Sequence, residues 1–366
     1  MSRARHQAYL RHAVYYAEQL KAADMLYERG HGDVVRSLAA FGLAQDHLVR
    51  AHAWAAAHMA QDADAARLCA DLPRFGASVI QLGFDAQQRR HWHAASLAAA
   101  ELLDDDAAIT AVLCQLGMAQ AELGLLPEAL ASLQRAVRLA LAGASPAAQV
   151  EAMANLGIVL DRCGQHDTAI TCFTHELTLA TRISEPRWQG SLQGNLGMAH
   201  LALGQVESAR TYFEQHLAIA REVGDRRGES DALTNLGLCQ RRLGNPGAAV
   251  ASHQQALAIS RDLNNKRAIA QDLGNLGLAY DALGERDAAI ACLIERLGLA
   301  RDLGDQPGEA RALWNLGEML LQVEQAERAL TMLDQAVALE RVLGDPEADA
   351  DAAVVERLRA QMNAAQ

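Results

Sequence analysis

The sequence predicts an all-α solenoid, a stack of helix-turn-helix repeats wound into a right-handed superhelix. Three observations carry this reading. The triplet Asn-Leu-Gly returns every forty residues, beginning at Asn155, Asn195, Asn235, Asn275 and Asn315, with Gln115-Leu116-Gly117 as a weaker copy before them. Other columns keep the same spacing: Gly124, Gly164, Gly204, Gly244 and Gly284, with Glu324 as the exception, then Ala129, Ala169, Ala209, Ala249, Ala289 and Ala329. Hydrophobic residues make up 51% of the 366, aromatics only 4%, and there are 7 prolines, the composition of helices packed through small side chains.

The elements follow in chain order. Residues 1–108 read as an N-terminal helical region with degenerate repeats. There "RHAVYYAEQLKAADMLYERGHG" predicts one long helix ending at Gly30. The segment from Val34 to Leu72 predicts two or three more, and "WHAASLAAAELL" reads as a degenerate second helix of a pair. Residues 109–348 hold six forty-residue units, each a helix A and a helix B. In the third copy, A runs from about Arg187 to Leu203 and B from about Glu207 to Val223. Gly204 ends the first, because glycine tolerates the left-handed conformation after a helix. Gly224-Asp225 stops the second and starts the next unit. Apolar residues at three- and four-residue spacing give each helix one buried face. Asn-Leu-Gly costs a helix roughly 1.5 kcal/mol against alanine, so its recurrence requires a reason. A β-carbon at Gly237 is expected to collide with helix B, whose facing column is bulky: Leu133, Phe173, Phe213, His253, Leu293 and Leu333. Residues 349–366 carry Asp349, Asp351, Glu356, Arg357 and Arg359 and read as a solvating cap helix.

Charge and composition exclude several functions. A formal net charge of −12 argues against a direct nucleic-acid binder. Cations are almost all Arg, Lys occurring only at Lys21 and Lys266; this fits bidentate carboxylate recognition or a GC-rich genome. The six cysteines form no CxxC pair and no zinc pattern, so they read as small buried hydrophobes in a reducing compartment. No apolar run reaches the ~18 residues of a membrane span, and the start lacks a signal-peptide core. A soluble cytoplasmic protein is expected. His47, His52 and His58 are spaced by five and six, which spreads them around a helix, so no metal site is expected. Asp104, Asp105 and Asp106 open a helix, where negative charge suits the macrodipole. No nucleophile elbow, zincin motif or phosphate-binding GxxxxGK[ST] occurs, so neither an enzyme nor a cofactor is expected.

The Leu-Gly of helix A, the turn glycine, and the alanine and bulky residue of helix B resemble the tetratricopeptide repeat, here lengthened as in Pins/LGN-type adaptors. The resemblance covers about residues 109 to 348. Two shorter motifs, Arg11-His12-x-x-Tyr15-Tyr16 and "DHLVRAHAWA" from Asp46 to Ala55, resemble the segment that joins the ATPase part of bacterial STAND regulators to their repeat sensor. That likeness implies the sensor half of a signalling NTPase, with the NTPase module attached or separate.

Each triplet asparagine precedes a packed leucine and is turned about 100° from the buried stripe, toward the groove that A helices line. A ladder of carboxamides can hold the main chain of an extended peptide. In tetratricopeptide domains the matching asparagine does so, and the resemblance implies the same for Asn155, Asn195, Asn235, Asn275 and Asn315. A bond to the neighbouring repeat, holding the superhelical pitch, is the other role open to them. Arg162, Arg241, Arg242 and Arg311 on A helices, with His216 and Arg296 from B helices, favour an acidic peptide or a C-terminal carboxylate; Asp161, Asp231 and Asp281 oppose this. Glu176, His216 and Arg296 replace a small residue and are expected to reach the groove. Trp314 reads either as packing between repeats or as a peptide anchor. The expected function is protein or peptide binding, with a free-standing adaptor or an enzyme subunit as alternatives.

Overall fold

The computed structural model describes residues 3–29, 32–143 and 145–365. Among them there are helices and turns and no strand. The helix end expected at Gly30 lies outside the described residues. The N-terminal helices are α1 (Arg3–Arg29), α2 (Gly32–His58), α3 (Ala63–Phe75), α4 (Ala77–Gly83) and α5 (Ala86–Leu102). The repeats comprise α6 (Asp106–Glu122), α7 (Leu126–Gly143), α8 (Pro146–Arg162), α9 (His166–Arg182), α10 (Pro186–Ala202), α11 (Val206–Glu222), α12 (Arg226–Arg242), α13 (Pro246–Asp262), α14 (Lys266–Leu283), α15 (Arg286–Leu303), α16 (Gln306–Gln322) and α17 (Ala326–Leu343). The chain closes with α18 (Ala348–Ala365). The bounds of α10 and α11 lie within one residue of those expected for the third copy. Contacts divide the chain into two compact units, Met1–Gly204 and Gln205–Gln366.

The first unit opens on two long helices, α1 and α2, packed along each other. Leu20, Phe41, Leu48, Leu72, Ile80 and Trp92 form the centre of their core with α3 to α5. The two-turn helix α4, absent from the sequence reading, follows Gly76 and ends on Gly83. Glycine is needed at Gly76 because a β-carbon there would overlap the Leu20 side chain. The second unit ends on α18, where Val355 is buried against Leu333 and Val337. Both Arg359 contacts to Asp334, at 2.8 and 2.9 Å, tie this helix to α17.

Helices stop for a local reason that recurs on a strict beat. Asp104, Gly124, Gly164, Ser184, Gly204, Gly224, Gly244, Asn264, Gly284, Gly304, Glu324 and Gly344 all have positive φ, spaced at multiples of twenty residues. At Gly244 the turn is closed by its N–H donating to the Arg241 carbonyl at 3.1 Å and by Asn245 N–H donating to Gln240 at 2.9 Å. Glu324 makes the same turn at φ 60°, with a side chain that this conformation disfavours. Glu324→Gly is therefore expected to raise stability by about 1 kcal/mol, measured as a higher urea midpoint with unchanged slope. The next helix begins where a side chain accepts from its first turn: Asp225 from Gly228 N–H at 2.9 Å, Asp305 from Gly308 N–H at 3.0 Å.

The Asn-Leu-Gly glycine is where the two helices of a pair come closest. A β-carbon on Gly157 would stand 2.5 Å from the Phe173 ring, and one on Gly117 or Gly317 would stand 2.6 Å from Leu133 or Leu333. On Gly237 it would overlap the His253 ring, the collision the sequence led us to expect. Within the units B helices pack between their own A helix and the next one, α7 between α6 and α8, α9 between α8 and α10, α13 between α12 and α14, and α15 between α14 and α16. A helices also touch one another, α6 with α8, α8 with α10 and α12 with α14, whereas among the described residues no two B helices pack this way. The A side is thus the tighter side of each unit.

Candidate peptide-binding site

Each A helix presents one open stripe at i, i+4, i+7 and i+11. On α16 it runs Arg311, Asn315, Glu318, Gln322, with Asn315 half-buried and the other three exposed. On α14 it runs Gln271, Asn275, Leu278, Ala282, and on α12 Asp231, Asn235, Leu238, Arg242. In the first unit, α8 carries Asn155 and Arg162 on such a stripe, and α10 carries Asn195. All five asparagines are half-buried: the leucine and glycine that follow hold the backbone down, and the carboxamide stays within reach of solvent. Asn155 lies close enough to the Cys114 thiol on the preceding A helix to favour its charged form, against the larger effect of burial. Asn235, Asn275 and Asn315 have no side-chain partner among the described residues.

The cations divide into two groups. Arg162, Arg242 and Arg311 are exposed on the stripes. Arg296 is half-buried on α15, its guanidinium lying over Gly274, the residue before Asn275. Burial, with Arg311 close by, pushes the Arg296 guanidinium down from its ordinary value. Asn275, Arg296 and Arg311 therefore lie in one part of the second unit, where the Asp305 carboxylate also acts on Arg296. Arg241 is turned away from the Asn235 stripe and lies close enough to His253 to disfavour its charged form.

Two expectations are corrected. Glu176 and His216 do not reach an open face; they are 0% and 9% exposed. The physical reason is visible at His216, whose Nε2 occupies space over Gly228, a glycine at the start of the following helix. Burial pushes the His216 imidazole down, although Asp225 pulls it up. Glu176 accepts a 2.7 Å hydrogen bond from His175 on one oxygen, while its Oε2 has no partner among the described residues. Trp314 is half-buried and packs against the cores containing Leu313 and Leu333, the first of the two roles read for it. Of the six thiols, Cys69, Cys114 and Cys239 are buried, and Cys163, Cys172 and Cys292 only half-buried.

Other polar groups escaped the sequence reading. Asp272, 1% exposed, sits where the equivalent residues are Val112, Ala152, Leu192, Ala232 and Ala312. It accepts from Thr234 at 2.7 Å and Ser260 at 2.8 Å, and Ser260 meets Ser230 at 3.0 Å. This network joins α12, α13 and α14; burial pushes the Asp272 carboxyl up against the pull of both hydroxyls. A carboxylate in an apolar column was the readable signal. His52 lies buried beneath Trp92, stacked at 4.4 Å, and burial pushes it down to about 3. Among the described residues no three His, Cys, Asp or Glu gather as metal ligands would, and no helix is long and apolar enough to cross a membrane.

Comparison with known proteins agrees with this geometry. The tetratricopeptide repeat model matches residues 149–222, 188–262, 228–302 and 266–341, and a model of anaphase-promoting complex subunit 5 matches residues 44–147. No curated protein sequence matches the chain. Among solved structures, a STAND signal-transduction ATPase with a tetratricopeptide repeat sensor from Pyrococcus horikoshii is 16% identical with a TM-score of 0.63; the match covers 98% of this chain and 55% of that one. Aspartyl phosphate phosphatase F from Bacillus subtilis is 12% identical with a TM-score of 0.59, over 81% of this chain and 75% of that one. BtubC from P. vanneervenii is 19% identical with a TM-score of 0.52, over 60% and 93%. At these identities the likenesses establish the fold.

Proposed function

Because the chain belongs to the tetratricopeptide repeat family, we infer that it is a protein-binding module whose open A-helix stripes hold an extended peptide or a segment of a partner protein. The observation that carries this reading is the set of half-buried, unpartnered carboxamides of Asn235, Asn275 and Asn315, repeated at forty-residue spacing on one face. Each offers two donors and an acceptor to a main chain without selecting its sequence. Selectivity then comes from Arg296 and Arg311, which favour an acidic side chain or a terminal carboxylate on the ligand. Arg162, Arg242 and Asn195 extend the same chemistry along their own helices.

The context we favour is the sensor of a STAND-type bacterial regulator. Two features support it: the motifs at Arg11 to Tyr16 and Asp46 to Ala55, and the alignment with a STAND protein that runs through the N-terminal helices as well as the repeats. A P-loop coding frame fused to or directly upstream of this one supports the sensor; a gene standing away from any ATPase favours an adaptor. The groove is tested by Asn235→Ala combined with Asn275→Ala. Recovery of the partner is expected to fall at least about tenfold, the equivalent of ~1.4 kcal/mol. Gln215→Ala with Gln255→Ala, which removes two exposed amides from B helices, is expected to leave it unchanged. Equal recovery by both pairs would remove the asparagines from the site.

A further inference from the structure

The helices α1 and α2 bring together the two N-terminal motifs, which the repeat groove does not use. Tyr16 stacks on His47 with ring centroids 4.3 Å apart and planes within 4°. His12 Nε2 lies 3.2 Å from His47 Nδ1, and one of the two nitrogens donates to the other. Tyr9 faces Trp54 with nearly parallel rings, centroids 6.2 Å apart. These helices bound a cavity of about 380 Å³ lined by Tyr9, His12, His47, Arg50, Ala51 and Trp54, together with Ala8. Tyr9, 41% exposed, stands at the mouth, and Trp54, 9% exposed, forms the floor.

Three properties of the cavity define what it fits. Its lining is rich in aromatic rings, Tyr9, His12, His47 and Trp54, which favours a planar partner, although His58 already stacks on Trp54 at 5.0 Å. Among the described residues its one formal charge is the Arg50 guanidinium, and no carboxylate lines it. Arg50 has no ion-pair partner among the described residues, while the Arg5 guanidinium lies 5.9 Å from the Tyr9 ring. The Trp54 indole N–H is buried and without an acceptor among the described residues. The volume is at the small end of ligand pockets and is enough for one or two fused rings.

We propose that this pocket is a binding site for a small aromatic carboxylate, its ring against Tyr9 and Trp54 and its carboxylate on Arg50. The site is separate from the asparagine stripes and stands or falls independently of them. A ligand that bridges α1 and α2 couples the first two helices of the chain to the concentration of a soluble aromatic acid.

Isothermal titration of the full chain tests the assignment, using phenylacetate, 4-hydroxyphenylacetate and indole-3-acetate as probes. At least one is expected to bind saturably with one site per chain. Tryptamine, of reversed charge, and cyclohexylacetate, without a π face, are expected to bind at least about tenfold more weakly. Arg50→Gln is expected to weaken the best acid by at least about tenfold, about 1.4 kcal/mol. Because Arg50 is exposed, its removal leaves the helix packing intact, which an unchanged circular dichroism spectrum and melting temperature verify. The Asn235→Ala/Asn275→Ala protein is expected to bind the acid as the parent does, so failure of the groove and failure of the pocket are distinguishable. Absence of saturable binding for all three acids, tryptamine binding as tightly as indole-3-acetate, or full affinity in Arg50→Gln would each overturn the proposal.

Discussion

Gly157→Ala is expected to destabilise the first unit by about 1 kcal/mol, whereas the same change at Gly277 leaves stability nearly unaltered. Both glycines occupy the third position of the Asn-Leu-Gly triplet, so the sequence treats them alike. The structure separates them. The new methyl at Gly157 would meet three carbons of the Phe173 ring at 2.5, 3.0 and 3.0 Å, and that ring is 1% exposed with no room to turn. At Gly277 the nearest atoms are Leu293 Cγ at 3.3 Å and the Ala289 carbonyl at 3.4 Å. Overpacking of the first kind costs about 1–3 kcal/mol, partly offset by the ~1 kcal/mol that alanine gains over glycine in a helix. At Gly277 the small contact cost and the helix gain roughly cancel. Urea unfolding of the two variants checks the difference. Equal losses would mean that the glycine serves the backbone alone and that close approach of the B helix is not its cause.

His253→Leu is expected to stabilise the second unit by about 2 kcal/mol at pH 7 and by about 4 kcal/mol at pH 5. His253 occupies the bulky column, 0% exposed, and neither ring nitrogen has a hydrogen-bond partner among the described residues. An unpaired buried donor costs about 1–3 kcal/mol, and leucine already fills the equivalent place at Leu133, Leu293 and Leu333. Burial, with the Arg241 charge beside it, pushes the imidazole from 6.5 down to about 4. The folded protein therefore holds His253 neutral where the unfolded chain takes up a proton. Its neutral form supports folding fully above the unfolded value, and that support is lost as pH falls from 6.5 toward 4. At pH 5 the loss is about 2 kcal/mol, and the leucine variant is free of it. Chemical denaturation of parent and variant at the two pH values measures this; parallel acid sensitivity in both would mean that His253 is hydrated.

The fold was largely legible because its causes are local and repeated. A left-handed residue ends each helix, an acceptor side chain starts many of the next, and the small residues at 117, 157, 237 and 317 lie where two helices cross. Each of these is a single-residue requirement that a column displays. The site was legible only in part. The open stripe follows from helical spacing, so the asparagine positions could be read. The burial of His216 could not, because the space it fills is supplied by Gly228 on a different helix. The N-terminal pocket was hidden for the same reason. His47, His52 and His58 face different ways on their own helix, and spacing along one helix says nothing about what a second helix brings to it. Asp272 stood in plain view as a carboxylate in an apolar column, but its hydroxyl partners come from two other helices.

The twenty-residue beat of helix-ending residues acts as a ruler for the molecule's length. Excising the forty residues from Arg226 to Asn265 would join Asp225 to Lys266, an acceptor cap followed by a basic first residue, just as in the parent joint. Excising thirty-nine or forty-one would leave the joint one residue long or short, and the helix that follows would have to absorb a rotation of about 100° or move its start. Chains built on this joint can lengthen or shorten only in whole links, so the length of the array is quantised.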